Sequence, residues 1–262
     1  MKAFSDFIEG FFFPSDRRDY WKPEHYGLKT QPLTVEHPKG YRLDARVIQA
    51  KGKDLKGRVV ALHSGLFNRE FNLPQVLFWA QAGYEVVSFD YSGYGQSQGI
   101  SRVDGLLEDT EAVIRAYDQY CPVKMPYLLF AQGIGCDAAL QYYDRHADRV
   151  AGLILESAYD TRRGWVKDRW GPVIGDIAAA AIHFAAPEPS DVLPNVHVPL
   201  MVVYPQSGRY IHKKQRTLVC EKLPAHAQLG LVPKTPSFGI FTVPDSLWQK
   251  NALKFAAKKV FK

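Results

Sequence analysis

The chain has 262 residues, 46% of them hydrophobic, with three cysteines and a formal net charge of +6. That length and apolar content suit one domain, 1–262, with a large core. Cys121, Cys136 and Cys220 stand at no metal-ligand spacing, which argues against a zinc site or a disulfide framework and fits reduced thiols in a cytoplasmic setting. Positive charge is scattered, apart from Arg162, Arg163, Lys167 and Arg169 and from Lys258, Lys259 and Lys262. No nucleic-acid motif accompanies it, so a solvated cationic surface is expected and a nucleic-acid partner is not.

In chain order, Phe4, Phe7, Ile8, Phe11, Phe12 and Phe13 form an aromatic cluster that Asp6 and Glu9 interrupt. It is far shorter than the ~20 apolar residues of a transmembrane segment, and no basic-then-apolar leader is visible. Packing onto the domain is expected, with weak membrane or partner contact as the alternative. Residues 31–37 and 41–50 alternate apolar and polar around Pro38-Lys39-Gly40, the pattern of an antiparallel hairpin. Short apolar strands are predicted over 58–63, 84–90, 126–131, 150–156, 199–204 and 227–232. Helices are predicted over 73–82, 101–120, 134–145, 212–222 and 245–261. Strands alternating with amphipathic helices predict an α/β fold: a mostly parallel central sheet with helices on both faces and the antiparallel hairpin at one edge. Residues 161–194, with Trp165, Trp170, an alanine run and Pro187, Pro189 and Pro194, break the rhythm and predict a small helical cap above the strand ends, where ligands enter such folds.

The turn Ala131-Gln132-Gly133-Ile134-Gly135 sits between an apolar strand and a helix. This is the layout of a nucleophile elbow, G-x-S-x-G, with glycine in place of the serine. The elbow strains its central residue toward positive φ, which glycine tolerates without cost, so the fold survives the exchange. Cys136, one turn into the helix, reads as a core thiol. No P-loop, dinucleotide fingerprint or metal-ligand cluster is present, and no cofactor or metal is expected.

The whole chain resembles the α/β-hydrolases, in the branch near the prolyl-oligopeptidase-like and serine-aminopeptidase-like enzymes. The carriers of the likeness are the 11–21 entry segment, His63-Ser64-Gly65, the loop Asp90-Tyr91-Ser92-Gly93-Tyr94-Gly95-Gln96-Ser97, and Leu155-Glu156-Ser157. Such a family implies ester, thioester or amide hydrolysis by serine, acid and histidine. Placed on this chain, the serine position is Gly133, the acid position Gly208 and the histidine position Ser237. All three functional groups are thus expected to be replaced. Backbone amides of Ile134 and Gly65 are the expected oxyanion donors. His63, Ser64, Gln132 and Ser157 are expected around the same pocket.

Other groups remain. His63 reads as a structural histidine more than a base, and Ser64 as a turn residue with no identified base. Asp90 and Glu156 are expected to end adjacent strands, where a paired-carboxylate role is conceivable. His183 and His212 have no partner at a recognisable spacing. Two functions follow. One is a non-catalytic hydrolase homologue, a pseudoenzyme that binds a small acyl or hydrophobic ligand or a protein partner. The alternative is an enzyme of another type, a lyase, isomerase, cyclase or atypical hydrolase, that works with the oxyanion donors and with His63, Ser64 or a nearby acid.

Overall fold

The computed structural model describes residues 16–181, 186–207 and 210–261. The N-terminal aromatic cluster, His183 and Gly208 lie outside the described residues. Eight strands form one sheet in the order β1-β2-β4-β3-β5-β6-β7-β8. They are β1 (Thr30–Glu36), β2 (Arg42–Ile48), β3 (Arg58–Leu62), β4 (Glu85–Phe89), β5 (Tyr127–Gln132), β6 (Val150–Glu156), β7 (Leu200–Pro205) and β8 (Gln228–Val232). β2 runs antiparallel to both of its neighbours, and all pairs from β4 to β8 are parallel.

The central strands bury both faces. All residues of β3, β5 and β7 are buried, which is why they read as unbroken apolar runs rather than alternations. Their odd and even positions feed two separate cores. Val60, Leu62, Leu129, Leu153 and Val202 face one layer. Val59, Ala61, Leu128, Ile154 and Val203 face the other. The first layer is covered by α2 (Leu106–Tyr120), α3 (Ile134–Arg145) and α6 (Lys213–Glu221). The second is covered by α1 (Leu77–Gln81) and α7 (Leu247–Phe255). Helices on both faces of a mostly parallel sheet, in this strand order, make the α/β-hydrolase fold.

The predicted helix over 73–82 is split at Val76, whose φ of −119° departs from helical geometry, into a 3-10 turn, Leu73–Gln75, and α1. The predicted 245–261 helix begins where the Ser246 hydroxyl accepts from the Gln249 amide at 3.2 Å, an N-cap. After α7 it continues as a π turn, Ala256–Val260.

The 161–194 excursion contains α4 (Arg162–Ala181) and α5 (Pro189–Val192). Gly171, at φ 74° and ψ 178°, breaks α4 into two halves that fold back on each other. A Cβ at Gly175 would stand 2.7 Å from the Lys167 Cα, so only glycine permits that approach. A buried ion pair anchors the excursion to α3. The Arg162 guanidinium donates to Asp137 at 2.6 and 2.7 Å, and the Tyr159 hydroxyl donates to the same carboxylate at 2.9 Å. The guanidinium also donates to the Ala186 and Pro187 carbonyls, at 2.9 and 2.8 Å, which fastens the far end of the excursion.

Candidate functional site

β5 delivers the chain into the elbow and α3 carries it away. Gly133 has φ 53° and ψ −119°, a backbone conformation that side-chain-bearing residues hold only under strain. Its amide donates to the Glu156 carbonyl at 2.9 Å, which fixes the turn against β6. Two positions later, a Cβ at Gly135 would stand 2.3 Å from the Leu62 carbonyl oxygen. That glycine is required by the close passage of α3 over the end of β3.

The space above the elbow is filled. A Cβ at Gly133 would meet the Phe238 ring at 3.0 Å and the Ser64 carbonyl oxygen at 3.1 Å. Phe238 is buried and takes a positive φ of 60°. Tyr210 packs edge-on against it, with ring centroids 4.5 Å apart, and Trp165 of α4 closes the other side of Tyr210 at 5.8 Å. Burial pushes the Tyr210 hydroxyl above its ordinary range, while the Ile134 backbone amide, directed at that hydroxyl, opposes the shift. The amide of Tyr210 itself donates to Ser237 Oγ at 3.2 Å. So Ser237 is tied to the loop that carries the tyrosine.

Gly65 is equally enclosed. Its amide donates to His63 Nδ1 at 3.3 Å, and its carbonyl accepts from the Tyr94 hydroxyl at 3.1 Å. A Cβ there would stand 2.3 Å from Ile134 Cδ1. Both backbone amides expected to hold an oxyanion therefore face side chains of the protein. Ser64 donates its hydroxyl to Asn72 Oδ1 at 3.0 Å. His63 is held neutral: burial, and secondarily the Arg69 charge, depress it to about 3. Its Nε2 has no hydrogen-bond partner among the described residues, and Asp90 Oδ1 lies 3.9 Å away. A cavity of about 10 Å³, lined by His63, Arg69, Asn72 and Gln132 among others, lies beside the elbow. That is room for about one water.

Gln132 belongs to a buried polar chain below the elbow. Its amide donates to Gln75 and to the Glu156 carboxyl. Burial raises Glu156 to about 7, with Gln132 and the backbone amides of Ile240 and Phe238 holding it back. This chain ties the turn before α1, the end of β5, the end of β6 and the Phe238 loop into one unit. Ser157, at φ 61°, donates its amide to the Val203 carbonyl at 2.9 Å. Cys136 is a buried thiol directed at the Glu156 carbonyl, 3.3 Å away.

Asp90 and Glu156 do not end adjacent strands, contrary to expectation, because β3 and β5 lie between β4 and β6. Crossover connections place strands in space in an order the sequence does not display. Asp90 instead organises its own loop. It accepts the Arg69 amide at 2.6 Å, and a Cβ at Gly95 would fall 2.1 Å from its Oδ2. Burial raises it to about 7. His212 precedes α6 and approaches Asp168 at 3.7 Å. Among the described residues no group of three or more histidine, cysteine or acidic side chains could hold a metal ion.

Sequence reasoning did not single out Phe238 or Tyr210. The first follows Ser237 directly, and an aromatic beside the serine at the expected histidine position was the available signal. The second follows the Gly208 position after one intervening residue, in a loop whose path the sequence does not give.

The fold and the elbow geometry define an α/β-hydrolase-class chain. A family model described as serine aminopeptidase, S33, matches residues 55–216, and the chain belongs to that family. Among curated proteins it is 27% identical over 158 residues to the uncharacterized protein YfhR of Escherichia coli, covering 58% of this chain and 54% of that protein. The chain thus spans about half the length of the curated relatives it matches. Among solved structures, an esterase of Pyrococcus furiosus superposes with a TM-score of 0.76 at 13% identity, over 94% of this chain and 98% of that one. An α/β serine hydrolase without a lid from Xanthomonas campestris superposes with a TM-score of 0.61 at 17% identity, over 87% and 94%. At these identities the superpositions establish the fold alone.

Proposed function

We propose that this protein is a non-catalytic member of its hydrolase family, a single domain whose 161–194 cap and filled elbow serve recognition of a protein partner. The carrying observation is the Phe238 ring, 3.0 Å from where the Cβ of an elbow nucleophile would stand. Glycine at that point leaves no attacking atom, and Ser237 in the expected histidine position offers no base. Gly208, in the expected acid position, carries no carboxylate. The Gly65 amide donates to His63 and the Ile134 amide is directed at the Tyr210 hydroxyl, which supports an electrostatic part of the machinery engaged from within.

The size of the space at the elbow also weighs ligand against partner. A site for a small acyl or hydrophobic molecule needs roughly 300 Å³ or more. The cavity beside the elbow has about 10 Å³. That favours a protein partner. The alternative of a rebuilt enzyme finds less support: His63 is neutral and buried, and Ser64 has Asn72 rather than a base as its partner. No described helix is long and apolar enough to cross a membrane. Cys121, Cys136 and Cys220 are all free thiols, in keeping with a cytoplasmic setting.

The test is hydrolysis of p-nitrophenyl esters and acyl thioesters by the purified chain, with Ser64→Ala as control. Turnover at the buffer background is the expected result. Turnover that disappears in Ser64→Ala would establish a rebuilt active site and defeat the proposal.

A further inference from the structure

A roomy cleft lies far from the elbow, between β8 and α7. It encloses about 370 Å³ and is lined by Met201, Gln228, Leu229, Gly230, Trp248, Asn251, Lys254, Phe255, Lys258 and Lys259. Gln228 pairs with Met201 at the amino-terminal ends of the last two strands, whereas the elbow follows the carboxyl end of β5. The two sites occupy different ends of the sheet.

We propose that this cleft binds a small amphipathic phosphate monoester, with its apolar body on Trp248 and its phosphate among Lys254, Lys258 and Lys259. Three observations carry the assignment. First, the wall is divided by chemistry. Met201, Leu229, Trp248 and Phe255 make an apolar floor, and the indole lies against the strand because position 230 is glycine: a Cβ there would stand 2.4 Å from the Trp248 ring. Second, the polar lining is wholly donor-rich or cationic. It consists of three lysines and two carboxamides, Gln228 and Asn251, without a carboxylate. Third, none of the three lysines forms an ion pair among the described residues, although four buried or half-buried cations elsewhere do: Arg58, Arg69, Arg149 and Arg162. Cations at a helix C-terminus offset the helix dipole, and that accounts for Lys254 in the last turn of α7. It does not account for the π turn Ala256–Val260, which continues the helix and adds Lys258 and Lys259 to the same cleft. Such turns are rare and concentrate at functional sites.

Three unpaired cations around one opening repel each other, and their summed field attracts an anion. A dianion meets that charge better than a carboxylate does. The volume, within the roughly 300–1,000 Å³ of small-molecule sites, leaves space for an aromatic or short acyl body beside the phosphate.

The experiment uses the full chain and calorimetric titration with phenyl phosphate, inorganic phosphate and phenol. Saturable binding of phenyl phosphate is expected, at least about tenfold tighter than either inorganic phosphate or phenol. The Lys258→Gln/Lys259→Gln double variant, both at exposed positions, should weaken it at least about tenfold with an unchanged melting temperature. Trp248→Leu should erase the advantage of phenyl phosphate over inorganic phosphate. Absence of saturable binding, equal binding of phenyl and inorganic phosphate, or full affinity in the lysine double variant would each overturn the assignment. Pelleting with phosphatidic-acid vesicles but not phosphatidylcholine vesicles, lost in the double variant, would identify the phosphate as a lipid headgroup. Binding of the soluble ester without pelleting would identify a soluble one. Neither result depends on whether the elbow is catalytic.

Discussion

Gly133→Ser places a hydroxyl at the turn that the G-x-S-x-G reading makes the nucleophile position. At φ 53° and ψ −119°, a non-glycine residue is strained by about 1–3 kcal/mol. Here the new Cβ would stand 3.0 Å from Phe238 Cζ and 3.1 Å from the Ser64 carbonyl. The ring cannot simply retreat, since Tyr210 packs on it at 4.5 Å and Trp165 packs on Tyr210 at 5.8 Å. Overpacking of this kind costs a further ~1–3 kcal/mol. A net loss of about 2–6 kcal/mol is expected, which for a domain of this size lowers the melting temperature by roughly 4–24 °C. Differential scanning fluorimetry reads the shift, and a p-nitrophenyl butyrate assay on the same sample should stay at background. In a double-mutant cycle with Phe238→Ala, the crowding part should be recovered as a coupling of about 1–2 kcal/mol. A Gly133→Ser protein as stable as wild type, with no coupling to Phe238, would refute the filled-elbow reading.

Three further outcomes follow from the same geometry. Glu156 titrates at about 7 in the folded chain against an ordinary 4.5, chiefly from burial. An acid with a raised folded pKa contributes fully below its unfolded pKa, and that contribution is lost as pH rises through the folded value. Chemical denaturation of wild type and Glu156→Gln should therefore diverge in the variant's favour between about pH 4.5 and pH 7, whereas parallel curves would contradict a neutral buried Glu156. Arg162→Met leaves the Asp137 carboxylate buried without its guanidinium, at a cost of about 3–5 kcal/mol in urea titrations; a loss under about 1 kcal/mol would show the pair to be dispensable. Tyr210→Phe removes the hydroxyl that the Ile134 amide faces, and should cost about 1–3 kcal/mol in the same titration for the orphaned donor. A neutral substitution would place that amide in contact with something else.

Much of the fold was legible because its strands are buried on both faces and its helices are amphipathic. The predicted 134–145 helix and 150–156 strand coincide with α3 and β6. The other strand boundaries moved by one or two residues, where caps and turns decide them, whereas the helices predicted from 73 and 101 begin at Leu77 and Leu106, each after a 3-10 turn, and the one predicted to 261 gives way to a π turn after Phe255. Strand order is a different kind of information. Asp90 and Glu156 look like neighbours in a list of strand ends, yet two strands separate them, because β3 and β5 enter the middle of the sheet through crossovers. The elbow itself was readable from Gly133 and Gly135, since a positive φ and a close helix–strand passage both demand glycine. What fills the space above it was not. Phe238 and Tyr210 come from loops after β8 and β7, and no periodicity reports where a loop folds back. The lysine-lined cleft shows the same limit: Lys258 and Lys259 read as a basic tail until β8 and α7 bring Trp248 and Gln228 beside them.

Whether any serine of this chain is an activated nucleophile is the most direct question, and a fluorophosphonate probe answers it without knowledge of the substrate. The purified protein would be incubated with the probe and its intact mass measured, beside an active esterase as positive control. The expected result is an unmodified mass under conditions that label the control to completion. Stoichiometric phosphonylation of one serine, mapped by peptide sequencing to Ser64 or any other position, would contradict the non-catalytic reading.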